Sequence, residues 1–360
     1  MNKKIDLCIM FGGNSTEYEV SLKSSYSVLS NIDKEKYNII KVGITRDGQM
    51  YLYEGKDENI VNNTWAESTA FLRKALFSTS YGDRAVYAVN SDGTLERVAV
   101  DVVFPVMHGA YCEDGRLQGM LDMCGVAYVG PGSASSAVCM DKAFTKMLLE
   151  NYNIPLAKCV YVVKGQVATE FEAIKADVEQ NLGYPVFVKP ANSGSSVGVS
   201  KARNEAELKN AIENAEKYDG KILIEEAVIG REVEVAVIGN ENPIALTCGE
   251  IISDADFYDY DDKYNNGTST SQIPASVKES TWINLKNTAE KIFKCLDCKG
   301  LSRVDFFVCG EEEKIVFNEI NTLPGFTSIS LYPKMAIHSG YTYSSLIDKL
   351  IELAIEEKKG

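Results

Sequence analysis

The first 130 residues alternate between strand-like and helix-like segments, and this alternation limits the folds open to the chain. "KIDLCIMF" is an apolar run of strand length, and "TEYEVSLKSSYSVLSNI" carries apolar residues at helical spacing. "YNIIKVGIT" and "VDVVFPVMH" are further strands, "GRLQGMLDMCG" is a helix, and "VAYVG" closes the series as a strand. Strand and helix in alternation predict an α/β unit, a parallel sheet covered by helices on both faces. Ligands of such sheets bind at the carboxyl ends of strands. Gly12-Gly13 and His108-Gly109 fall there.

Beyond residue 130 the pattern changes. A helix is expected over about 136–152, followed by "IPLAKCVYVV" as a strand. "YPVFVKPANSGSSVGVSKA" reads as strand, glycine-rich loop, strand; "EAELKNAIENAEKY" is a helix and "KILIEEAV" a strand. From about residue 228 strands recur in "REVEVAVIG", "PIALTCGEI" and the pair within "RVDFFVCGEEEKIVFNEIN", which a helix at about 280–296 precedes. The last helix, "SSLIDKLIELAIEE", carries an apolar stripe for packing on the body. Residues 256 to 275, "DFYDYDDKYNNGTSTSQIPA", lack periodicity and read as a long loop, a class that often serves function. The chain thus divides into an α/β unit over 1–130 and two α+β units over 131–227 and 228–360.

A formal net charge of −14 argues against nonspecific binding to nucleic acid or to an anionic membrane, since both need a basic surface. A local cluster of lysines can still hold a small anion. No apolar run approaches the roughly 20 residues that cross a bilayer. In "MNKKIDLCIMFGG" Asp6 interrupts the apolar run and Gly12-Gly13 ends it, so a first strand is expected rather than a secretory signal. Nine cysteines without framework spacing fit a reducing cytosol, hence a cytoplasmic protein. Cys295 and Cys298 form a lone C-x-x-C. With only His108 and His338 as histidines and no second cysteine pair, they read as half-buried thiols near a helix end rather than as a metal site.

The most informative segment is the hairpin at residues 303 to 321. Side chains alternate along a strand. Arg303, Asp305 and Phe307 then share one face, Phe317, Glu319 and Asn321 share another, and Val304, Phe306, Val316 and Ile320 are left for burial. A turn centred near Glu312 sets Asp305 opposite Glu319 and Arg303 opposite Asn321. Two facing carboxylates repel, and a hard divalent cation with oxygen ligands would relieve them. A surface hairpin with an Arg303 salt bridge is the plainer alternative.

Other motifs carry chemistry with a bland alternative beside each. "KPANSGSSVGVS" offers Lys189 and small residues whose amides and hydroxyls can approach phosphate, or else a hairpin turn that needs glycine; the P-loop pattern is absent. Lys142 opens a helix against its dipole, which points to an anionic partner or to a solvated lysine. "TEYEVS" fits a capping box of Thr16 and Glu19, and Glu19 is equally placed to bind a substrate ammonium. His108 and Glu113 share a glycine-flanked loop. In "LPGFTSIS" the Gly325 N–H is an oxyanion donor to set beside Arg303, or part of a plain turn.

Taken in order, "FGGNSTEYEVSL", "HGAYCEDGRLQG", "MDKAFTK", "VKPANSGSSVG", "YDYDDKY", "SRVDFF" and "FNEINTLPGFTSIS" resemble the motifs of the ATP-grasp D-alanine–D-alanine ligases, a class that includes the D-alanine–D-serine and D-lactate ligases of vancomycin resistance. The resemblance runs nearly end to end. It implies a three-domain ATP-grasp architecture with ATP held between the second and third units. It implies that Lys142 and Lys189 meet ATP phosphates under a loop containing Ser195 and Ser196. Glu225 and the backbone of Glu226 and Val228 would face adenine, and Glu232 the ribose. Lys263 and Tyr264 would belong to the mobile loop. Asp305, Glu319 and Asn321 would hold two Mg²⁺ ions, with Mn²⁺ able to substitute. Glu19 would bind the first D-alanine near His108, and Tyr264 would hydrogen-bond with Ser195 and Glu19. Arg303 and Gly325 would stabilise the oxyanion, and Ser330 and Leu331 would flank the second substrate. The resemblance implies a homodimer acting on ATP and D-alanine for peptidoglycan synthesis. Its D-serine-specific members typically place phenylalanine and arginine where this chain has Tyr258 and Leu331, which points to D-alanine as acceptor.

Overall fold

The computed structural model describes residues 3–67, 69–252 and 270–359. Leu7 to Phe11 are fully buried, so β1 (Ile5–Gly12) is covered on both faces, as a central parallel strand must be. After it come α1 (Tyr18–Asn31), β2 (Tyr37–Ile44), β3 (Met50–Tyr53), α2 (Asp57–Val61), β4 (Leu72–Phe77), β5 (Ala85–Val89), β6 (Leu95–Ala99), β7 (Val102–Pro105), α3 (Arg116–Cys124) and β8 (Ala127–Tyr128). Their sheet has the order β6-β5-β4-β3-β2-β1-β7-β8. β2, β1, β7 and β8 are parallel, as the alternation predicts. The antiparallel wing β3 to β6 lies outside that expectation. Its strands are short and partly exposed, so no long apolar run announces them. The chain reverses direction along the sheet between β2-β1 and β7, and Gly12-Gly13 and His108-Gly109 both sit at that crevice.

α4 (Ser133–Met140) and α5 (Lys142–Glu150) replace the single helix expected over 136–152. Asp141 between them has extended backbone (φ −86°, ψ 98°), and its carboxylate accepts the amides of Ala143 and Phe144 at 3.1 and 3.0 Å. One residue therefore ends a helix and caps the next. β9 (Cys159–Val163), α6 (Gln166–Asn181), β10 (Val186–Pro190), β11 (Ser200–Ala202), α7 (Glu205–Ala215) and β12 (Lys221–Glu226) complete a four-stranded antiparallel sheet, β11-β10-β12-β9.

The third sheet, β15-β14-β13-β16-β17, is also antiparallel. It comprises β13 (Arg231–Gly239), β14 (Ile244–Ile252), β15 (Thr270–Gln272), β16 (Gly300–Cys309) and β17 (Lys314–Asn321), with α8 (Glu279–Cys295), α9 (Leu331–His338) and α10 (Tyr343–Lys359). β15 corrects the end of the loop expected over 256–275; residues 253–269 lie outside the described residues.

Packing joins these sheets at the site. α10 turns its buried stripe, including Leu346, Ile347, Leu350 and Ile351, onto the core of the first sheet. α8 packs on the third sheet, and that core also takes Cys139, Leu149 and Ile154. Each such side chain stabilises by about 1.5–3 kcal/mol when fully buried. α4 and the end of α5 are thus held against the sheet that carries the 303–321 hairpin.

Candidate active site

The hairpin has the expected register where it matters: Asp305 pairs with Glu319 and Arg303 with Asn321. The route to that register differs. The turn pairs Cys309 with Lys314, which by simple counting would set Asp305 opposite Asn318. A bulge at Asn318 resets the count. Phe317 consequently leaves the face of Glu319 and enters the core against Phe306, at a 6.2 Å ring separation. Ile315 is buried and Val316 only half-buried, the reverse of simple alternation.

Two adjoining cavities of about 510 and 710 Å³ open between the sheets. Lys142, Ser195, Glu234, Ile251, Arg303 and Glu319 line both and form the partition. Here the Arg303 guanidinium grips both Asp305 oxygens at 2.9 and 2.8 Å, and Glu234 of β13 at 2.9 Å. Burial opposes its charge, but Asp305 and Glu234 outweigh burial and raise Arg303 well above its ordinary value. Asn321 donates its amide to Asp305 at 2.9 Å. Lys142 reaches across from the first turn of α5 to Glu319 at 3.3 Å and to the Ser193 carbonyl at 2.8 Å. The lysine set against a helix dipole thus has anionic company.

Among the described residues, no three His, Cys, Asp or Glu side chains converge as a metal centre by themselves. The hairpin offers two carboxylates and one amide, all hard oxygen donors. Magnesium commonly binds through one or two carboxylates and completes its shell with waters and substrate phosphates. The donor set fits an ion that arrives with a nucleotide.

The larger cavity is walled by the second sheet. Lys189 of β10 and Lys146 of α5 both meet the Glu225 carboxylate of β12, Lys189 at 2.5 Å. Lys146 forms an ion pair with Oε1 rather than an aligned hydrogen bond. Burial alone would raise Glu225, yet the two lysines hold it at about 2. Lys189 is likewise raised by Glu225 against its own burial. Ser196, Glu226, Val228 and Glu232 line the same cavity. Glu226 spends one carboxylate oxygen on the Lys158 amide at 2.9 Å. Ser195 and Ser196 both adopt left-handed backbone (φ 49° and 60°), at about 1–2 kcal/mol per non-glycine residue. Such turns gather successive amides into an anion-binding concavity. Lys146 and Lys201 line this cavity unforeseen. Lys146 had a signal, since it stands one helical turn beyond Lys142; Lys201 had none.

The smaller cavity corrects one assignment. α1 begins at Tyr18, Glu17 stands at its cap position, and no side chain caps it, so the Thr16–Glu19 capping box does not form. Glu19 lies on the outer face of α1, half-exposed, in an ion pair with Arg46 and outside both cavities. Glu17 is the carboxylate that enters: it is buried, and it accepts the Ser195 hydroxyl at 2.7 Å. Side chains two residues apart at a helix start point to different faces, and this exchanges the two glutamates. Gly109 and Gly194 cup Glu17; a methyl group on either would come within 2.5 or 3.0 Å of Oε2.

His108 is buried behind Glu17. Burial lowers its pKa, with Glu17 opposing. A neutral ring with its proton on Nδ1 satisfies every contact: Nδ1–H donates to the Leu323 carbonyl (2.9 Å), and Nε2 accepts from Ser24 (3.1 Å), whose oxygen accepts the Phe326 amide. Glu113 accepts the amides of Gly109 (2.7 Å) and Leu323 (3.0 Å). Burial pushes it up to about 7, Glu17 adds to this, and the two amides oppose it. Both side chains fasten the segment after β17 to the loop after β7. That segment brings Gly325, Ser330 and Leu331 to the cavity wall. The Ser330 hydroxyl oxygen accepts the Thr327 amide at 3.0 Å. Tyr258, Lys263 and Tyr264 lie outside the described residues.

A mixed sheet with a parallel α/β core, beside two antiparallel sheets that clasp a lysine-lined cavity, is the ATP-grasp architecture. Comparison with known proteins narrows the class. Models described as D-ala D-ala ligase N-terminus and D-ala D-ala ligase C-terminus match residues 6–131 and 148–352. The D-alanine–D-alanine ligase of Clostridium acetobutylicum is 48% identical over 354 residues, 98% of each chain. That of Acetivibrio thermocellus is 45% identical, over 99% of this chain and 97% of the relative. Among solved structures, the VanG D-Ala:D-Ser ligase from Enterococcus faecalis matches with a TM-score of 0.88 at 39% identity, covering 98% of this chain and all of that one. The D-alanine-D-alanine ligase from Coxiella burnetii matches at 0.85 and 33%, covering 99% and 95%. The chain belongs to the D-alanine–D-alanine ligase family, and it is a ligase.

Proposed function

We propose that this ligase joins D-alanine to a second D-alanine at the expense of ATP, through a D-alanyl phosphate, to supply peptidoglycan precursors. One observation carries the reading: Lys142, Ser195, Arg303 and Glu319 line both the nucleotide-sized cavity and the smaller one. A transferring phosphoryl group and an amino-acid carboxylate would meet at that shared wall.

Lys142 and Lys189 bind the phosphates, and the Ser195–Ser196 loop covers them. Val228, Glu232 and the backbone of Glu226 border the base and ribose, while the Glu225 carboxylate serves its two lysines. Magnesium, held by Asp305, Glu319 and Asn321, would spread charge on the transferring group, with Mn²⁺ able to replace it. Glu17, rather than Glu19, takes the ammonium of the first D-alanine and turns its carboxylate toward the partition. Phosphorylation makes that carboxyl carbon electrophilic. The amine of the second D-alanine attacks it, and phosphate leaves. Arg303 and the Gly325 amide stabilise the tetrahedral oxyanion. Ser330 and Leu331 receive the carboxylate and side chain of the second substrate.

Leu331 favours D-alanine over D-serine, because an apolar wall accepts a methyl group and gives a hydroxyl no partner. The test is to supply ATP, Mg²⁺ and D-alanine, with or without D-serine or D-lactate, and to weigh the products. D-alanyl-D-alanine with released phosphate is expected in every mixture. A predominant D-alanyl-D-serine product would overturn the acceptor, and absence of any dipeptide would overturn the reaction. We also propose a cytoplasmic homodimer, which sedimentation of the purified chain and cell fractionation would check.

A further inference from the structure

Cys298 does not pair with Cys295, its neighbour in the C-x-x-C. Its sulfur lies 3.8 Å from that of Cys139, and both thiols are free and buried. Cys139 stands near the end of α4, just before Asp141 and Lys142, and it lines the smaller cavity. Cys298 occupies the connection between α8 and β16, just before the strand that carries Arg303 and Asp305. Ser135, one helical turn before Cys139, donates its hydroxyl to the Leu296 carbonyl at 2.6 Å and lies 3.5 Å from the Cys298 sulfur. The ligation chemistry uses neither thiol.

We propose that Cys139 and Cys298 are an oxidative modification site that closes to a disulfide when hydrogen peroxide enters the smaller cavity. Cys139 faces that entry. Its thiolate attacks one peroxide oxygen, the O–O bond breaks, and the departing oxygen takes a proton and leaves as water. Cys298 then attacks the resulting sulfenic sulfur, the S–O bond breaks, and a second water leaves. Two thiols lose two electrons and two protons, and the peroxide gains them. The contact with Cys298 and burial both raise the Cys139 thiol, so thiolate is scarce and closure is slow at neutral pH. A disulfide spans about 2.05 Å, so the sulfurs must approach by almost half of their present separation. In this proposal the end of α4 moves toward the connection before β16, which shifts Lys142 relative to Arg303. Displacements of about 1 Å at a reacting centre cost about 100-fold in rate.

The test treats the full chain with hydrogen peroxide, unfolds it, alkylates the remaining thiols and maps the peptides by mass. A peptide joining Cys139 to Cys298, with Cys295 alkylated, is expected. Alkylation of both thiols, a Cys295–Cys298 link, or Cys139 sulfinic acid beside free Cys298 overturns the proposal. Mapping needs no variant and is independent of the ligase reading. A second arm rests on that reading: turnover of oxidised protein falls at least roughly tenfold and returns with dithiothreitol, while Cys298→Ala keeps its turnover through the same treatment. Unchanged turnover in cross-linked protein, or equal loss in Cys298→Ala, overturns the control of activity.

Discussion

Glu225→Gln isolates the electrostatic design of the larger cavity. The native carboxylate is buried between Lys146 and Lys189 and is held at about 2, against 4.5 for a free glutamate. A drop of that size, at about 1.4 kcal/mol per pKa unit, is roughly 3 kcal/mol of preference for the charged form. Glutamine keeps the shape and removes the charge, leaving two ammonium groups facing each other in a buried site. Breaking a buried pair from one side typically costs about 3–5 kcal/mol, which agrees. Because the folded pKa is depressed, the contribution is complete above about pH 4.5 and is lost as pH falls toward 2; at pH 3.5 about 2 kcal/mol should remain. Amide hydrogen exchange in β10 and β12 reads this locally. At pH 7 those amides should exchange about 100-fold faster in the variant, and the gap should narrow at pH 3.5. Exchange unchanged to within about 0.5 kcal/mol, or a gap that widens in acid, would refute the assignment of a charged Glu225 to both lysines.

Three further outcomes follow from the geometry. Glu17→Gln should lower ligase turnover by about 100-fold or more, whereas Glu19→Gln should change it less than about threefold; equal effects would remove the exchange of roles. Glu319→Ala should abolish turnover while the fold, read by circular dichroism, survives; normal turnover would remove the metal assignment. Calorimetric titration should show Mg²⁺ binding at least tenfold more weakly without ATP than with it, and equal affinity would show that the hairpin is a complete metal site.

The parallel core of the first sheet and the strands that carry the site were legible because long apolar runs and alternation report burial directly. The antiparallel wing was not, since β6 is mostly exposed and has little apolar pattern to show. The hairpin is the subtler case. "KIVFNEIN" alternates in a way that admits two phases, one before Asn318 and one after it. The bulge uses both, sending Phe317 to the core and Glu319 to the cavity, and no local residue announces it. Glu17 and Glu19 differ only in where α1 begins, and helix starts are the feature that sequence fixes least. Lys146 shares the helical spacing of Lys142, but its burial makes physical sense only beside Glu225, a residue far along the chain.

If the proposed function holds, the charge arrangement accounts for how so acidic a chain would hold a nucleotide. Both lysines expected at the phosphates already have a carboxylate, Lys142 with Glu319 and Lys189 with Glu225, and Arg303, expected at the oxyanion, has Asp305 and Glu234. A polyphosphate arriving alone would compete with these carboxylates for the same cations and would be repelled by them. A divalent ion arriving alone would face Arg303 and Lys142 beside its own donors. Under the proposed function the two arrivals would cancel: Asp305 and Glu319 would give their oxygens to the ion, and Lys142, released from Glu319, would be free for phosphate. Coulomb energies at such separations reach several kcal/mol even at an effective dielectric of about 20, enough to make the two binding events strongly dependent on each other. In the proposed function the acidic hairpin would therefore tie nucleotide binding to metal binding, and the partition between the cavities would be where partners are exchanged.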